Sequence, residues 1–214
     1  MILTVNEIFY SIQGESVYAG LPCVFVRLTG CNLRCRYCDT RYAFDKGTAM
    51  SVAQIADQVA TFGCDWVEIT GGEPLAQNHT PDLVDTLLED GYHLLMETNG
   101  SLDIDRVDCR CSRIMDIKCP SSGEHTKNDA ANLQRLTAHD QVKYVIGDHD
   151  DFIFATRRLP LLPASLPTDR ILFSAVSNRL PPDQLAGWML EARIEARLHL
   201  QLHRLIWPDQ ERGA

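Results

Sequence analysis

Short apolar runs alternate with amphipathic segments along the chain, and this alternation predicts its elements. Residues 23–30 (CVFVRLTG) and 66–72 (WVEITGG) have the β-branched, apolar composition of buried strands. Between them, residues 51–63 (SVAQIADQVATFG) have the helical period, with Ser51 and Gln54 placed to form a capping box. This β–α–β succession predicts an α/β fold with a mostly parallel sheet.

The alternation continues to the end of the chain. A second helix is predicted over 80–91, with Thr80 as its cap and Gly91 at its end. The remaining predicted elements are helices within 129–137, 148–158 and 182–195, and strands at 93–100, 113–118, 141–147, 171–177 and 198–203. Polar segments fall where these strands end, and ligands bind at the carboxyl ends of the strands in such sheets. We therefore expect one functional face.

Length and composition indicate one enzyme-sized domain. The chain has 214 residues, 45% of them hydrophobic, which is enough for a single α/β core. We expect that domain to span 1–208 and a polar tail to span 209–214. The prolines within 160–169 predict a surface connection there.

Charge and hydropathy limit the classes of partner and the locations that we expect for the protein. The net charge is −9 without a block of Lys and Arg, which argues against nucleic acid, since phosphate binding needs clustered cations. No apolar stretch is long enough to span a membrane, and the first residues do not resemble a signal peptide. We therefore expect a reduced protein in the cytoplasm.

Three cysteines, Cys31, Cys35 and Cys38, have the spacing C-x-x-x-C-x-x-C. A structural zinc site takes four protein ligands, whereas three thiolates on a [4Fe–4S] cluster leave one iron open for a small molecule. A zinc site with a fourth ligand from the other five cysteines and a cysteine-ligated redox module without catalysis remain alternatives at this point.

The three-cysteine loop and the segment GGEP (71–74) together resemble the radical S-adenosylmethionine (SAM) superfamily. The glycines allow close backbone approach to a ligand. The resemblance implies an incomplete (β/α) TIM-like barrel of reduced size, with SAM bound on the open iron. It also leaves open a radical SAM activase that would generate a glycyl radical on a partner protein.

A narrower resemblance covers nearly the whole chain. Its segments are IQGE (12–15), CNLRCRYCDT (31–40), ITGGEP (69–74), METNG (96–100), DIKCPSSGE (116–124), VKYVI (142–146) and QLHRLIWP (201–208). Together they resemble the 7-carboxy-7-deazaguanine synthase family of the queuosine and 7-deazapurine pathway. These lyases convert 6-carboxy-5,6,7,8-tetrahydropterin to 7-carboxy-7-deazaguanine with loss of ammonia. The resemblance implies a [4Fe–4S] cluster, SAM, Mg²⁺, a homodimer and an electron donor such as flavodoxin or ferredoxin.

The resemblance also implies which residues contact SAM. Gly72 and Glu73 would position its amino end, and Tyr37 would contact adenine or shield the cluster unless it is only a packing aromatic. The other expected SAM contacts are Cys38, Asp39, Asp116, Ile117, Lys118, Ser174, Ala175, Val176 and Ser177.

The expected substrate contacts lie in the first and last segments. Arg27 stands inside an apolar run, where an unpaired charge would be costly, so it is a candidate partner for the substrate carboxylate. Gln201 and His203 are expected to point to one side of the last strand, with His203 either bonding the substrate or satisfying the barrel rim. The other candidates are Ile12, Gln13, Gly14, Glu15 and Thr70.

Thr40, directly after the cluster cysteines, is the Mg²⁺ ligand that the resemblance implies. A single hydroxyl suffices only when substrate oxygens and water complete the octahedron. Asp39 is the alternative ligand, or a loop residue without this role.

Overall fold

The computed structural model describes residues 1–210, 212 and 213. Its strands are β1 (Ile2–Ile12), β2 (Pro22–Leu28), β3 (Thr48–Ser51), β4 (Trp66–Gly71), β5 (His93–Thr98), β6 (Ser112–Asp116), β7 (Gln141–Ile146), β8 (Ile171–Ala175) and β9 (Arg197–His199). Its α-helices are α1 (Val52–Ala60), α2 (Thr80–Glu89), α3 (Asn132–Arg135), α4 (His149–Thr156), α5 (Pro182–Glu191) and α6 (Leu202–Ile206). Every helix in the described part of the chain is too short or too polar to cross a bilayer.

The strands form one sheet in the order β3-β1-β2-β4-β5-β6-β7-β8-β9. From β2 to β9 every neighbouring pair is parallel, whereas β1 runs antiparallel to both β2 and β3. The two outer strands, β3 and β9, do not pair with each other, so the barrel is incomplete. This confirms the predicted fold class, and the carboxyl ends of seven strands meet at one edge of the sheet.

Local sequence signals explain α1. The Ser51 hydroxyl accepts from Gln54 N (3.2 Å), and Ser51 N donates to Gln54 Oε1 (2.8 Å), so the predicted capping box is confirmed. The helix buries Val52, Ile55 and Val59 at intervals of three and four residues, which places one apolar face on the sheet.

Tertiary contacts override the predicted boundaries at three places. Thr80 does not cap α2: it is the first helical residue after the N-cap His79, and its buried hydroxyl donates to the Pro74 carbonyl (2.5 Å). The last strand ends at His199, so Gln201 and His203 do not lie on a strand, and His203 lies in α6. The strands β1 and β3 were not predicted.

The edge of the sheet opposite the carboxyl ends is held by a buried ion pair. Arg113, the second residue of β6, lies 2.6 Å through Nη2 from Asp140 Oδ2, and both side chains are almost fully buried. Arg113 N and Nε also donate to Asp140 Oδ1 at 2.9 Å. Breaking such a pair leaves one charge buried without a partner, so this edge serves structure and the carboxyl edge remains for chemistry.

Candidate active site

One cavity of about 960 Å³ opens at the carboxyl edge of the sheet. It is lined by residues from the loops after β1, β2, β4, β6 and β8 and from the segment after β9. All but three of the residues expected to contact cluster, SAM, Mg²⁺ or substrate line it, the exceptions being Glu73, Ile117 and Ser174. Most of the expected residues therefore lie together at one cavity, although several side chains have other contacts than expected.

The three cluster cysteines, Cys31, Cys35 and Cys38, are partly buried and face this cavity. Burial raises the pKa of Cys35 to about 11 and also raises the pKa of Cys38. Bound iron cations would reverse this by favouring the thiolates. Cys31 Sγ additionally accepts from Leu33 N at 3.4 Å and from Asn99 Nδ2 at 3.8 Å, as expected for a sulfur that becomes anionic.

The donor set suits a multi-iron cluster better than one zinc ion. Within the described residues, no three His, Cys, Asp or Glu side chains converge on a single-ion position. In a cubane each thiolate binds a different iron, so the sulfurs need not converge. The other cysteines do not line the cavity: Cys23, Cys111 and Cys119 are buried elsewhere, and Cys64 donates to backbone carbonyls. The residues present therefore fit a [4Fe–4S] cluster with an open iron.

Two glycines bring the end of β4 against the cluster loop. A Cβ on Gly72 would clash with the Gly30 carbonyl and lie 2.8 Å from Cys31 Cβ. Gly71 has φ +150°, and a Cβ there would clash with the Leu28 carbonyl. Glycine at both positions is therefore required for the close approach that forms this wall.

Glu73, an expected SAM contact, lies behind the cavity wall. Its side chain is fully buried and accepts from Leu75 N (3.0 Å), Thr98 Oγ1 (2.9 Å) and Asn99 N (2.7 Å). Burial outweighs these bonds and raises the pKa of its carboxyl. Glu73 thus joins the loops after β4 and β5 and positions Asn99, which does line the cavity.

Ile117 and Ser174, two further expected SAM contacts, are also buried outside the cavity. Ile117 N extends the sheet by donating to Lys143 O at 2.9 Å. Adjacent residues at the same strand ends do face the cavity, namely Asp116, Lys118, Ala175, Val176 and Ser177. Lys118 Nζ lies 2.6 Å from Asp116 Oδ2, and the buried Oδ1 atom has no hydrogen-bond partner among the described residues.

A buried charge cluster forms the substrate side of the cavity. Lys143 Nζ lies 2.9 Å from Glu15 Oε2 and 2.9 Å from Glu97 Oε1. Burial opposes charge on both Glu15 and Lys143, but the neighbouring opposite charges outweigh it: the pKa of Glu15 is lowered and that of Lys143 raised. Thr70 Oγ1 donates to the other oxygen of Glu97 (3.1 Å), which adds Thr70 to this wall.

Gln13 uses its side chain to hold the loop after β1. Its amide nitrogen donates to Glu68 Oε2 (2.9 Å), and its amide oxygen accepts from Glu15 N and Ser16 N. Burial, with Glu97 nearby, raises the pKa of Glu68 to about 8. Although Ile12, Gln13 and Gly14 line the cavity, the polar atoms of the Gln13 side chain already have partners in the protein.

Arg27 lies in the cavity wall between two aromatic rings. Its guanidinium carbon is 5.6 Å from the Phe9 ring centre and 5.7 Å from that of Tyr42. Its Nε lies 2.8 Å from Glu7 Oε1, and its terminal nitrogens make no hydrogen bond within the described residues. Although burial lowers the pKa of Arg27, the neighbouring Tyr42 and the hydrogen-bonded Glu7 carboxylate raise it overall, so the group stays cationic. A fixed cation with free donors suits a carboxylate.

Gln201 and His203 reach the site by a different route from the predicted strand. The chain turns after β9 because Leu202 N donates to the Gly14 carbonyl (3.1 Å). Gln201 Nε2 then donates to Glu15 Oε1 (2.9 Å), and His203 Nε2 lies 3.7 Å from the same oxygen. Both residues therefore line the cavity beside Glu15.

The segment after the cluster cysteines is tied to α6. Thr40 Oγ1 donates to Asp39 Oδ1 (2.9 Å), and Asp39 Oδ2 lies 2.8 Å from Arg204 Nη2. Both Thr40 and Asp39 line the cavity and present oxygen atoms. Tyr37, in the same loop, donates its hydroxyl to Val145 O (3.3 Å), which fixes its ring at the cavity wall.

The described tail residues lie at the mouth of the cavity, where the sequence predicted only a polar extension. Asp209, Gln210 and Gly213 line it. Arg212 donates to Asn6 Oδ1 (2.7 Å) and lies 4.8 Å from the Tyr42 ring centre. Glu211 and the last residue, Ala214, lie outside the described residues.

The sequence analysis missed Lys143, Glu97, Glu68 and Asn99. The signal that identified Arg27, a charge inside an apolar run, was also present in VKYVI, WVEIT and METNG. Applied to those strands, it would have found Lys143, Glu68 and Glu97.

Comparison with known proteins agrees with this geometry. The family model of the radical SAM superfamily matches residues 25–108, which include the three cysteines and the GGEP segment. The 7-carboxy-7-deazaguanine synthase of Chlorobaculum tepidum is 44% identical over 99% of this chain and 97% of that protein. The enzyme of the same name from Koribacter versatilis is 38% identical over 99% of this chain and 100% of that protein.

Solved structures share the fold. The crystal structure of QueE from Escherichia coli superposes with a TM-score of 0.78 at 24% identity, covering 94% of each chain. Streptococcus suis SuiB bound to S-adenosylmethionine gives a TM-score of 0.56 over 80% of this chain and 44% of that chain. The identity of 44% and 38% with these two enzymes, over 99% of this chain, shows that the chain belongs to the 7-carboxy-7-deazaguanine synthase family of radical SAM enzymes.

Proposed function

We propose that this chain converts 6-carboxy-5,6,7,8-tetrahydropterin to 7-carboxy-7-deazaguanine with loss of ammonia. The observation that carries the proposal is one cavity lined both by the three cluster cysteines and by four charged side chains, the buried Lys143 and the partly buried Arg27, Glu15 and Glu97. The first set suits a cluster with an open iron, and the second suits a polar heterocycle that bears a carboxylate. A radical SAM activase is not favoured, since the named relatives are synthases.

On the cofactor side, Cys31, Cys35 and Cys38 would hold the [4Fe–4S] cluster. Bound together, the cluster and SAM supply the one-electron chemistry that starts the reaction. Gly72 would present its backbone to the amino acid part of SAM, and Asp116 and Lys118 would add opposite charges at the next wall. Tyr37, Cys38, Asp39, Ala175, Val176 and Ser177 complete the proposed SAM side. Asn99, held by Glu73, is added to this set.

On the substrate side, Arg27 would bind the carboxylate through its terminal nitrogens. Glu15 and Glu97 are acceptors for the N–H groups of a pterin edge, and Lys143 contacts both carboxylates. Although burial opposes it, the Lys143 ammonium lowers the pKa of Glu15. Thr70, Gln201 and His203 surround them, while Gln13 shapes the loop of Ile12 and Gly14. The described tail residues at the mouth would limit access of water.

We further propose Mg²⁺ at Thr40, with Asp39 as the alternative ligand. Mg²⁺ prefers six oxygen ligands and retains several waters. The Thr40 hydroxyl and the Asp39 carboxylate face the cavity, which leaves the remaining positions to water and to the substrate carboxylate.

The proposal also covers the domain organisation, the oligomeric state and the location of the protein. We propose a single domain over 1–208 with the tail 209–214 at its site, a homodimer, and a cytoplasmic enzyme that keeps its cysteines reduced. The exposed side chains of Leu198 on the open edge strand, of Leu200 just after it and of Leu205 on α6 support a self-association surface. Light scattering on the reconstituted protein would measure the dimer.

The direct test is an anaerobic assay of the reconstituted enzyme with SAM, Mg²⁺, dithionite and the carboxylated tetrahydropterin. Mass spectrometry should find 7-carboxy-7-deazaguanine, and a Cys35→Ala variant should produce none. Cleavage of SAM with the pterin left unchanged would reject the proposed substrate. A site that binds iron but never cleaves SAM would reject radical chemistry altogether.

A further inference from the structure

Glu68 is a buried acid in the cavity wall, and one of its two carboxyl oxygens has no partner. Only 2% of the residue is exposed, yet it lines the cavity. Its Oε2 accepts from Gln13 Nε2 (2.9 Å), whereas Oε1 makes no hydrogen bond within the described residues. A buried polar atom without a partner is costly. Glu68 Oε1 is therefore an open position for an atom of a bound ligand.

Gln13 determines which oxygen of Glu68 carries a proton. The amide oxygen of Gln13 accepts from Glu15 N (3.1 Å) and from Ser16 N (3.0 Å), so the amide nitrogen faces Glu68. Glu68 Oε2 is then fixed as an acceptor. When Glu68 is neutral, its proton lies on Oε1, and this atom becomes a hydrogen-bond donor.

Titratable groups from five segments lie near Glu68. They are Glu15 after β1, Cys23 on β2, Glu97 on β5, Cys111 before β6 and Lys143 on β7. Burial raises the pKa of both thiols, which stay neutral. Lys143 is the cation of this group, and its Nζ lies 2.9 Å from an oxygen of Glu15 and 2.9 Å from an oxygen of Glu97. One ammonium therefore serves two other carboxylates before Glu68.

These surroundings favour the neutral form of Glu68. Burial, and after it the Glu97 carboxylate, raise the pKa of Glu68 to about 8. The hydrogen bond from Gln13 and the Lys143 ammonium oppose this shift without cancelling it. Near neutral pH the cavity wall therefore contains one protonated carboxyl group beside two carboxylates that contact Lys143.

This combination matches the pyrimidine edge of the proposed substrate. That edge carries an amino group and a ring N–H, which are donors, beside a ring carbonyl, which is an acceptor. The carboxylates of Glu15 and Glu97 suit the two donors, but they would repel the carbonyl oxygen. A carboxylic acid that burial keeps neutral can donate a hydrogen bond to such an oxygen.

The register of the strands places Glu68 within reach of that carbonyl. Arg27, the proposed partner of the substrate carboxylate, pairs with Thr70 across β2 and β4. Glu68 precedes Thr70 by two residues and so shares its face of the sheet, roughly 7 Å deeper along the strand. The carboxylate and the carbonyl of the substrate lie on different rings of its fused system. Arg27 and Glu68 can therefore bind the two groups of one molecule.

We propose that Glu68, as a neutral acid, donates a hydrogen bond from Oε1 to the ring carbonyl of the pterin and so determines specificity for a carbonyl over an amino group at that position. This inference rests on the proposed function, because it takes the carboxylated pterin as the ligand. The alternative is that Oε1 binds only a water molecule and that Glu68 serves structure alone.

Two oxidised analogues test the proposal. One is 6-carboxypterin, which has the ring carbonyl, and the other is 2,4-diaminopteridine-6-carboxylate, which has an amino group in its place. Neither carries a hydrogen on the carbon that bears the carboxylate, so only binding is measured. We would titrate both by calorimetry, at a pH below the pKa of Glu68, into reconstituted protein loaded with SAM and Mg²⁺. The proteins are wild type, Glu68→Gln, Glu68→Met and the control Glu89→Gln, an exposed position of α2.

We expect wild type and Glu89→Gln to bind the carbonyl analogue at least about tenfold more tightly than the amino analogue. Glu68→Gln should keep this preference, because its amide oxygen accepts from Gln13 and its NH₂ group replaces the O–H donor. Glu68→Met, which has no donor, should bind the two analogues about equally.

Three results would overturn the role of Glu68. They are equal binding of the two analogues to wild type, a preference that persists in Glu68→Met, and a preference that is lost in Glu68→Gln, which would indicate an ionised Glu68 that accepts from the ligand. If Glu68→Met does not fold, wild type and Glu68→Gln still decide. Wild type that binds neither analogue would overturn the role of Glu68 and count against the proposed substrate. Wild type that turns over the pterin but shows no preference between the analogues would overturn the role of Glu68 alone.

Discussion

Lys143 Nζ lies 2.9 Å from Glu15 Oε2, which joins two residues 128 positions apart in the chain. The same ammonium contacts Glu97 at 2.9 Å, so one cation compensates two carboxylates in a buried wall. The end of β5, the middle of β7 and the loop after β1 are therefore fixed to one another by charge. Packing alone would not specify which polar groups face the substrate.

Replacing Lys143 with methionine should lower both the free energy of unfolding and the synthase activity. Loss of one partner from a buried ion pair typically costs about 3–5 kcal/mol because the remaining charges stay uncompensated. Urea unfolding of the apoprotein would measure the loss. The matched control is Lys127→Met, whose exposed pair with Glu124 should contribute less than about 1 kcal/mol. Equal losses for the two variants would contradict the proposed role of Lys143.

Glu73→Gln should destabilise the protein although it preserves shape. Both oxygens of Glu73 accept hydrogen bonds, and an amide NH₂ would meet a donor on one side. The expected loss is about 1–3 kcal/mol, again measured by urea unfolding. Glu89→Gln, on an exposed position of α2, is the control and should be neutral. If Glu73→Gln were as stable as wild type but bound SAM more weakly, the result would indicate that Glu73 contacts SAM directly.

Gly72→Ala should prevent assembly of the cluster. The added methyl group would occupy space held by the Gly30 carbonyl and the Cys31 side chain. After anaerobic reconstitution, we expect Gly72→Ala to contain little iron and to lack the broad visible absorption of an iron–sulfur cluster. Gly187→Ala is the control, because its Cβ would meet open space in α5 and alanine favours the helix by about 1 kcal/mol. Normal iron content in Gly72→Ala would show that the loop can move away.

Glu68 should make stability depend on pH. Its pKa is raised from 4.5 to about 8 by burial and by Glu97, with Lys143 and Glu15 also nearby. The folded state therefore binds more protons than the unfolded state between those values, so stability is present at low pH and lost as pH rises toward 8. Glu68→Gln, which imitates the neutral form and keeps an acceptor for Gln13, should flatten this decline.

Urea unfolding from pH 5 to 9 would compare Glu68→Gln with wild type. The two curves should coincide near pH 5 and separate by pH 8, since each pKa unit corresponds to about 1.4 kcal/mol. Parallel curves over the whole range would mean that Glu68 is ionised throughout.

Thr40→Ala should lower turnover and weaken its response to Mg²⁺. The change removes the hydroxyl that donates to Asp39 and would supply one metal oxygen. Titration of Mg²⁺ in the synthase assay measures the response, and Thr40→Ser, which keeps the hydroxyl, is the control. An unchanged magnesium response in Thr40→Ala would remove Thr40 from the metal site, and a lost response in Asp39→Asn would assign the metal to Asp39.

Elements with local causes were predictable from the sequence. The capping box of α1 and its apolar period act within a few residues, and the structure has both. The end of the last strand was not predictable, because the alternation of apolar and polar residues in 198–203 also fits a strand that continues to His203. It ends at His199 and the chain turns, since Leu202 N bonds the Gly14 carbonyl, almost 190 residues away in sequence.

In the candidate site, too, features with local causes were predictable, and features that depend on distant contacts were not. The three cysteines and the two glycines act through spacing and backbone, which can be read in the sequence. Glu73 could not be placed, because an anionic residue beside a glycine pair can face a ligand or cap the next loop. In the structure its side chain makes three internal hydrogen bonds, one of them with Thr98 at the end of β5 and one with Asn99 in the loop that follows.

Glu7 is shared by two guanidinium groups, at 2.8 Å from Arg27 and 3.7 Å from Arg212. An anion that binds the terminal nitrogens of Arg27 would share this cation with Glu7. Because Arg212 also lies near Glu7, the carboxylate would keep a second counterion, and the local charge would stay close to balance in the loaded site.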